Sequence, residues 1–169
     1  HAGYLMIGLA AGNAAAWTGI TYYLVAYLFM QIGAFAVVGI LERENGGNLT
    51  LDDYRGLARR RPGLALVMSL FMFSLTGIPP FAGFFGKYYL FNAAIQSDLT
   101  WLAIVGVVSS VISVWFYLGL VVTMYFREPV GEMEGEEASL SSRAALALSI
   151  IGTLVIGLIP QVIINLVSR

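Results

Sequence analysis

Cysteine is absent from this 169-residue chain. That excludes disulfides and any thiolate-bound zinc or iron–sulfur site within it. Lysine occurs once, as Lys87, and histidine once, as His1. A single histidine makes neither a haem nor a zinc site by itself. Charged residues make up only 11%, against about 25% in soluble domains. The formal net charge is −1, with no basic stripe and no recognition motif, so nucleic acid is not a partner. No GxGxxG or phosphate-binding loop occurs. Nor are there paired catalytic carboxylates or a nucleophile beside a base. The chain therefore carries no redox or hydrolytic site and no cofactor of its own.

What the sequence has instead is apolar length. It is 59% hydrophobic, with mean hydropathy +0.81, and its apolar runs exceed the ~20 residues that cross a bilayer as a helix. They are continuous rather than alternating, unlike a β-barrel. The expected fold is an all-α integral membrane protein, a single transmembrane domain over 1–169. About five helices are predicted, over 2–11, 18–41, 62–94, 99–126 and 142–167. The first is too short to cross alone. The opening HAGYLMIGLAAG lies inside an apolar run and has no secretory-signal pattern. It reads as the middle of a helix, so an N-terminal remainder of the same subunit is an expected partner, along with the lipid bilayer.

Pro62 suits the first turn of its helix, and Pro160 is expected to kink the last one. Between the second and third spans, ERENGGNLTLDDYRGLARRR holds a turn at ENGGN. A short surface helix is predicted over 50–59, capped by Thr50 and Asp53. REPVGEMEGEEASLSSR reads as an acidic, solvated connector without calcium-loop spacing. Two spans separate these loops, so they share a side. With their edges they hold Arg43, Arg55, Arg59, Arg60, Arg61, Arg127 and Arg143, whereas the other side has Arg169. The positive-inside rule puts the arginine-rich loops in the cytoplasm and the C-terminus in the periplasm of a bacterial inner membrane.

One segment raises a specific question. TGIPPFAGFFGKYYLF, 76–91, is apolar apart from Lys87, yet holds two adjacent prolines. A straight helix over 62–94 would measure roughly 50 Å at 1.5 Å per residue, well beyond a ~30 Å hydrocarbon core. Pro79 and Pro80 supply no N–H, which leaves the carbonyls of Leu75 and Thr76 without helical donors. Gly77 eases a loop. A helix broken over Gly77, Pro79 and Pro80 is predicted. Such backbone survives at membrane depth only where protein or water covers it, as in the ion sites of transporters.

Lys87 falls about ten residues before the polar exit at Gln96, roughly 15 Å of helix and too deep to snorkel out fully. A charge at that depth costs at least ~2.5–3.5 kcal/mol on insertion scales, and burial disfavours the charged form of an amine. Lys87 is the candidate intramembrane proton carrier. The competing reading is a lysine that only holds the fold. No membrane carboxylate in this chain can pair with it. Gly83 and Gly86 leave room beside it for water or a neighbouring helix.

Other polar residues are weaker candidates. His1 fits a proton relay and a packing or capping role equally well. Tyr27 and Gln31 share a helix face, and Tyr88 and Asn92 follow the lysine. All four are candidate water-organising groups, with packing and interhelical hydrogen bonds as the simpler account. Ser109, Ser110 and Ser113 are expected to mark a close helix–helix contact.

HAGYLMIGL, YYLVAYLFMQIGAFAVVGILE, DDYRGLARRRPGLAL and SLTGIPPFAGFFGKYYLF, in this order, resemble subunit N of the bacterial proton-pumping NADH:quinone oxidoreductase, complex I. The resemblance implies the C-terminal part of a 14-helix antiporter-like fold in a proton-translocating subunit. It implies a broken-helix lysine on the proton path, which Lys87 matches, and a polar position matched by His1. It also implies other membrane subunits of complex I as partners, including neighbouring antiporter-like subunits. NADH, flavin, iron–sulfur clusters and quinone would be bound in partner subunits. A multisubunit Na⁺/H⁺ antiporter and a structural membrane scaffold remain the alternatives.

Overall fold

The computed structural model describes residues 1–47, 49–130 and 138–167, and among them the regular structure is helical. The helices are α1 Ala2–Ala11, α2 Ala14–Glu44, α3 Leu57–Arg60, α4 Pro62–Thr76, α5 Ala82–Gln96, α6 Thr100–Phe126, α7 Leu140–Leu158 and α8 Gln161–Val167. α2, α6 and α7 are each long and apolar enough to cross a membrane. α4 and α5 have 15 residues each. That is about 22 Å apiece, too short to cross alone. Together they make one crossing interrupted in the middle. The last predicted span is likewise divided, with α7 ending before Pro160 and α8 beginning after it.

α2 is the hub. It packs on α1, α4, α5 and α7, and its face of Ala16, Tyr22, Ala26, Met30 and Val37 is buried. Small residues there let neighbouring backbones approach closely, as membrane packing requires. Gly33 backs onto the ring of Phe71 on α4. The turn between α1 and α2 is tied to the end of α5. Asn13 caps α2 by accepting from the Ala16 N–H at 2.7 Å, and its amide donates to Ala93 O and Ser97 Oγ, each at 2.9 Å. α6 lies on the rim. Trp115, Phe116 and Phe126 are largely exposed, so α6 presents an apolar outer surface suited to lipid or a further subunit.

The charged loop departs from its prediction. Thr50 and Asp53 form the expected capping box. The helix, however, does not run on to residue 59. A 3-10 turn covers Leu51–Tyr54, and Gly56, at φ 63°, restarts the chain as α3. A left-handed residue cannot continue a right-handed helix, and glycine adopts that conformation without penalty. The restart lets the Gly56 N–H donate to Thr123 O of α6 at 3.2 Å. Arg60 then donates to the carbonyls of Asp53 and Arg55. Arg61 pairs with the buried carboxylate of Glu44 through two hydrogen bonds. The middle of the acidic connector, 131–137, and Arg169 lie outside the described residues.

Candidate functional site

The break between α4 and α5 follows from hydrogen-bond accounting. The carbonyl of Phe73 accepts from Gly77 and Ile78, and that of Ser74 accepts from Gly77. Gly77 has φ +90°, a backbone state that closes a helix and favours glycine. The next two carbonyls, Leu75 and Thr76, would accept from residues 79 and 80, which are both proline. Neither goes unused. Lys87 reaches back from α5, and its Nζ donates to Leu75 O at 3.1 Å and to Thr76 O at 2.8 Å. A third bond runs from Nζ to Ser110 Oγ on α6 at 2.8 Å. The side of the ammonium is covered by Tyr4 of α1, with Nζ 4.8 Å from the ring centroid.

Lys87 is therefore buried, 4% exposed, and no described carboxylate lies within ion-pair reach of it. Magnitudes explain how it persists. The insertion cost of ~2.5–3.5 kcal/mol is met by charge-assisted hydrogen bonds of roughly 1.5–3 kcal/mol each. The C-terminal end of α4, where its carbonyls converge, is also the negative end of the helix dipole. Two carbonyls, a hydroxyl and a π face together hold the cation. Its three hydrogen-bond acceptors carry no formal charge.

The glycines beside the lysine serve approach rather than water. A Cβ on Gly83 would overlap the Ser74 carbonyl oxygen, and one on Gly86 would overlap the Tyr23 ring. α5 thus lies directly against the end of α4 and against α2, which holds the ammonium at the free carbonyls.

A second polar cluster adjoins the first through Tyr4. His1 Nδ1 lies 2.5 Å from Tyr23 OH, and Nε2 lies 2.8 Å from Tyr117 OH. One ring nitrogen of neutral imidazole donates and the other accepts, and a phenol hydroxyl can meet either. The His1 ring stacks on Tyr27 with centroids 4.8 Å apart and meets the edge of Tyr4 at 5.8 Å. Between α1 and α6 a cavity of about 370 Å³ is lined by His1, Tyr4, Ile7, Ser109, Ser113 and Tyr117. It is large enough for several waters, at ~30 Å³ each, and has hydroxyl groups on its wall.

Of the residues singled out by sequence, Lys87, Gly77, Pro79 and Pro80 form one constellation. His1 and Tyr27 form the neighbouring one. Gln31 lines a groove between α2 and α7 on another side of the bundle. Tyr88 is 55% exposed, and its ring packs on Tyr89. Asn92 is half-buried further along α5. Three groups of the site had no sequence signal of their own. Tyr4, Tyr23 and Tyr117 are aromatic residues in aromatic-rich spans. Ser110 was read with its neighbours as a helix-contact residue. Ser109 is instead exposed, Ser113 donates to Ser110 O at 2.7 Å, and only Ser110 reaches the lysine. Among the described residues, no group of three His, Asp or Glu side chains gathers as a metal site.

The profile of the family described as "NADH:quinone oxidoreductase/Mrp antiporter, TM" matches residues 1–113, which include His1, the whole helix break, Lys87 and Ser110. The chain belongs to this family. It is an all-helical integral membrane protein, and its relatives extend well beyond it. Subunit N of the NADH-quinone oxidoreductase of Trichlorobacter lovleyi is 46% identical over 171 residues, covering 100% of this chain and 35% of that relative. The chain thus spans about a third of the length of the curated relatives it matches. Respiratory complex I from Thermus thermophilus with bound Aureothin contains a chain that superimposes with a TM-score of 0.82 at 31% identity, over 98% of this chain and 37% of that one. The Mrp complex from Dietzia sp. DQ12-45-1b matches in fold, with a TM-score of 0.82 at 24% identity, over 98% of this chain and 39% of that one.

Proposed function

We propose that this chain is the C-terminal part of a subunit N-type, proton-translocating subunit of an NADH:quinone oxidoreductase, and that Lys87 carries the proton. The observation that carries this reading is the position of Lys87. It is the one lysine of the chain, held by the two carbonyls that Pro79 and Pro80 release, with no described carboxylate in ion-pair reach. A buried lysine locked to a carboxylate would stay charged. One held by dipoles can lose its proton when the local field changes, and it can be reloaded afterwards. His1, bridged to Tyr23 and Tyr117, serves as the relay on the cavity side. Polar and ionisable groups buried at this depth mark ion and proton pathways.

Electrons do not enter this chain. NADH, flavin, iron–sulfur clusters and quinone belong to other subunits of the complex, and neighbouring antiporter-like subunits adjoin this one in the membrane. The arginine-bearing loops face the cytoplasm of a bacterium and the end of α8 faces the periplasm, as the positive-inside rule requires. The test is proton pumping by the whole complex in sealed vesicles, with NADH oxidation and assembly followed in the same preparation. Lys87→Met is expected to assemble and to lose pumping and coupled turnover. Assembled complex that pumps normally would make Lys87 structural.

The fold shared with an Mrp complex favours a second reading, a Na⁺/H⁺ antiporter subunit. That reading requires sodium-dependent proton movement in vesicles without NADH oxidation.

A further inference from the structure

Ser110 on α6 is the group at the lysine that neither prolines nor glycines explain. Its Oγ accepts from Lys87 Nζ at 2.8 Å and faces Thr76 O at 3.4 Å. An ammonium has three N–H donors, and three acceptors surround this one: Leu75 O, Thr76 O and Ser110 Oγ. The two carbonyls can only accept. The hydroxyl is different, because it can accept or donate. When Lys87 is charged, Ser110 accepts from Nζ and turns its own hydrogen toward Thr76 O. When Lys87 is neutral, Nζ keeps two donors for the two carbonyls and gains a lone pair. The Ser110 O–H can then rotate to donate to that lone pair.

We propose that Ser110 is a positioning residue that adapts the lysine site to both protonation states, favouring the charged one by completing its acceptor cage. The inference rests on the reading of Lys87 as a proton carrier. No covalent bond to Ser110 changes; the hydroxyl rotates while the proton leaves or joins Nζ. A hydrogen bond to an ammonium is roughly twice as strong as one between neutral groups, so removing the hydroxyl penalises the charged state more. The titratable groups around Lys87 are Tyr4 and His1 at α1, Tyr23 on α2, Tyr88 and Tyr89 on α5 itself and Tyr117 on α6. Among the described residues no carboxylate lies within ion-pair reach of Lys87.

The experiment measures the pH profile of proton pumping by the assembled complex in sealed vesicles for Ser110→Ala, Ser110→Thr and Lys87→Met. Ser110→Ala should move the alkaline limb of the profile to lower pH by about one unit. Ser110→Thr, which keeps the hydroxyl, should restore most of the original profile. If Ser110→Ala lowers the amount of assembled complex, Ser110→Cys, a poor acceptor of similar size, should show the same shift in what assembles. An unchanged profile in the alanine or cysteine variant overturns the proposal. Pumping lost in Lys87→Met together with an unchanged Ser110→Ala profile leaves the carrier in place and removes only Ser110. Normal pumping in Lys87→Met removes both.

Discussion

Two helices in this bundle are broken by proline, and the two breaks are satisfied by different chemistry. In the last crossing, Pro160 has no N–H for the carbonyl of Ile156. The hydroxyl of Tyr22, from α2, donates to that carbonyl at 2.8 Å. In the central crossing, Pro79 and Pro80 free Leu75 O and Thr76 O, and the ammonium of Lys87 donates to both. The breaks also touch, since a Cβ on Gly157 would press on Ala82 N and Pro80 O. The backbone problem is the same in each. A phenol, ordinarily titrating near ~10, is a neutral plug that holds a kink. An amine can change charge and can be worked. A proline break thus requires a donor but does not by itself make a functional site. Under the proposed reading, the donor's ability to change charge separates the two.

Substitutions at and away from the two breaks test this contrast. The largest effect is expected at Gly83, where a side chain would collide with the Ser74 carbonyl. Gly83→Val should drive α5 off the end of α4 and reduce assembled complex to a small fraction on membrane gels. Next comes Glu44, whose carboxylate is only 2% exposed beneath Arg61. Arg61→Ala leaves that charge buried and unpaired, which costs about 3–5 kcal/mol where both partners are buried. It should cost less here, because Arg61 is 33% exposed. A lower melting temperature with unchanged pumping per assembled complex is expected, since this pair belongs to the loop and not to the lysine. Tyr22→Phe should cost about 1–3 kcal/mol, the penalty for an unsatisfied buried acceptor. It too should leave pumping per complex intact.

The smallest effect concerns the charged loop. Hydrogen bonds from the Thr50 backbone, and then from its side chain, hold Asp53 below its ordinary value of 3.8. A depressed carboxyl contributes stability that is present above the unfolded value and is lost as pH falls through the folded one. The 50–53 turn should therefore loosen only below pH 3.8. Its amide exchange should rise there in the native protein and not in Asp53→Asn. The change should be slight, because the hydrogen bonds that hold the carboxyl are exposed to solvent.

Both breaks were legible in the sequence at their prolines, but only at the first was the donor legible too. The two free carbonyls could be named because proline acts on the residue four before it, which is a local rule. Lys87 stood out because it is a single charge in an apolar run. The donor at Ile156 could not be foreseen, since Tyr22 is 134 positions away and one of nine tyrosines. Ser110 was hidden among small residues that pack helices, and only the placement of α6 against the break distinguishes it from Ser109 and Ser113. The surface helix was misjudged at Gly56, whose φ of 63° answers a contact with α6 rather than anything in its own segment. Local backbone chemistry is readable from one sequence. The identity of a distant hydrogen-bond donor requires the fold.

The most direct test places the two breaks side by side in the full complex. Lys87→Met and Tyr22→Phe would be reconstituted into sealed vesicles, and proton pumping per assembled complex measured together with thermal stability. Lys87→Met should abolish pumping while the complex still assembles. Tyr22→Phe should lower stability and pump normally. Equal pumping by both variants would contradict the carrier role of Lys87, because the donor at the first break would then be as structural as the donor at the second.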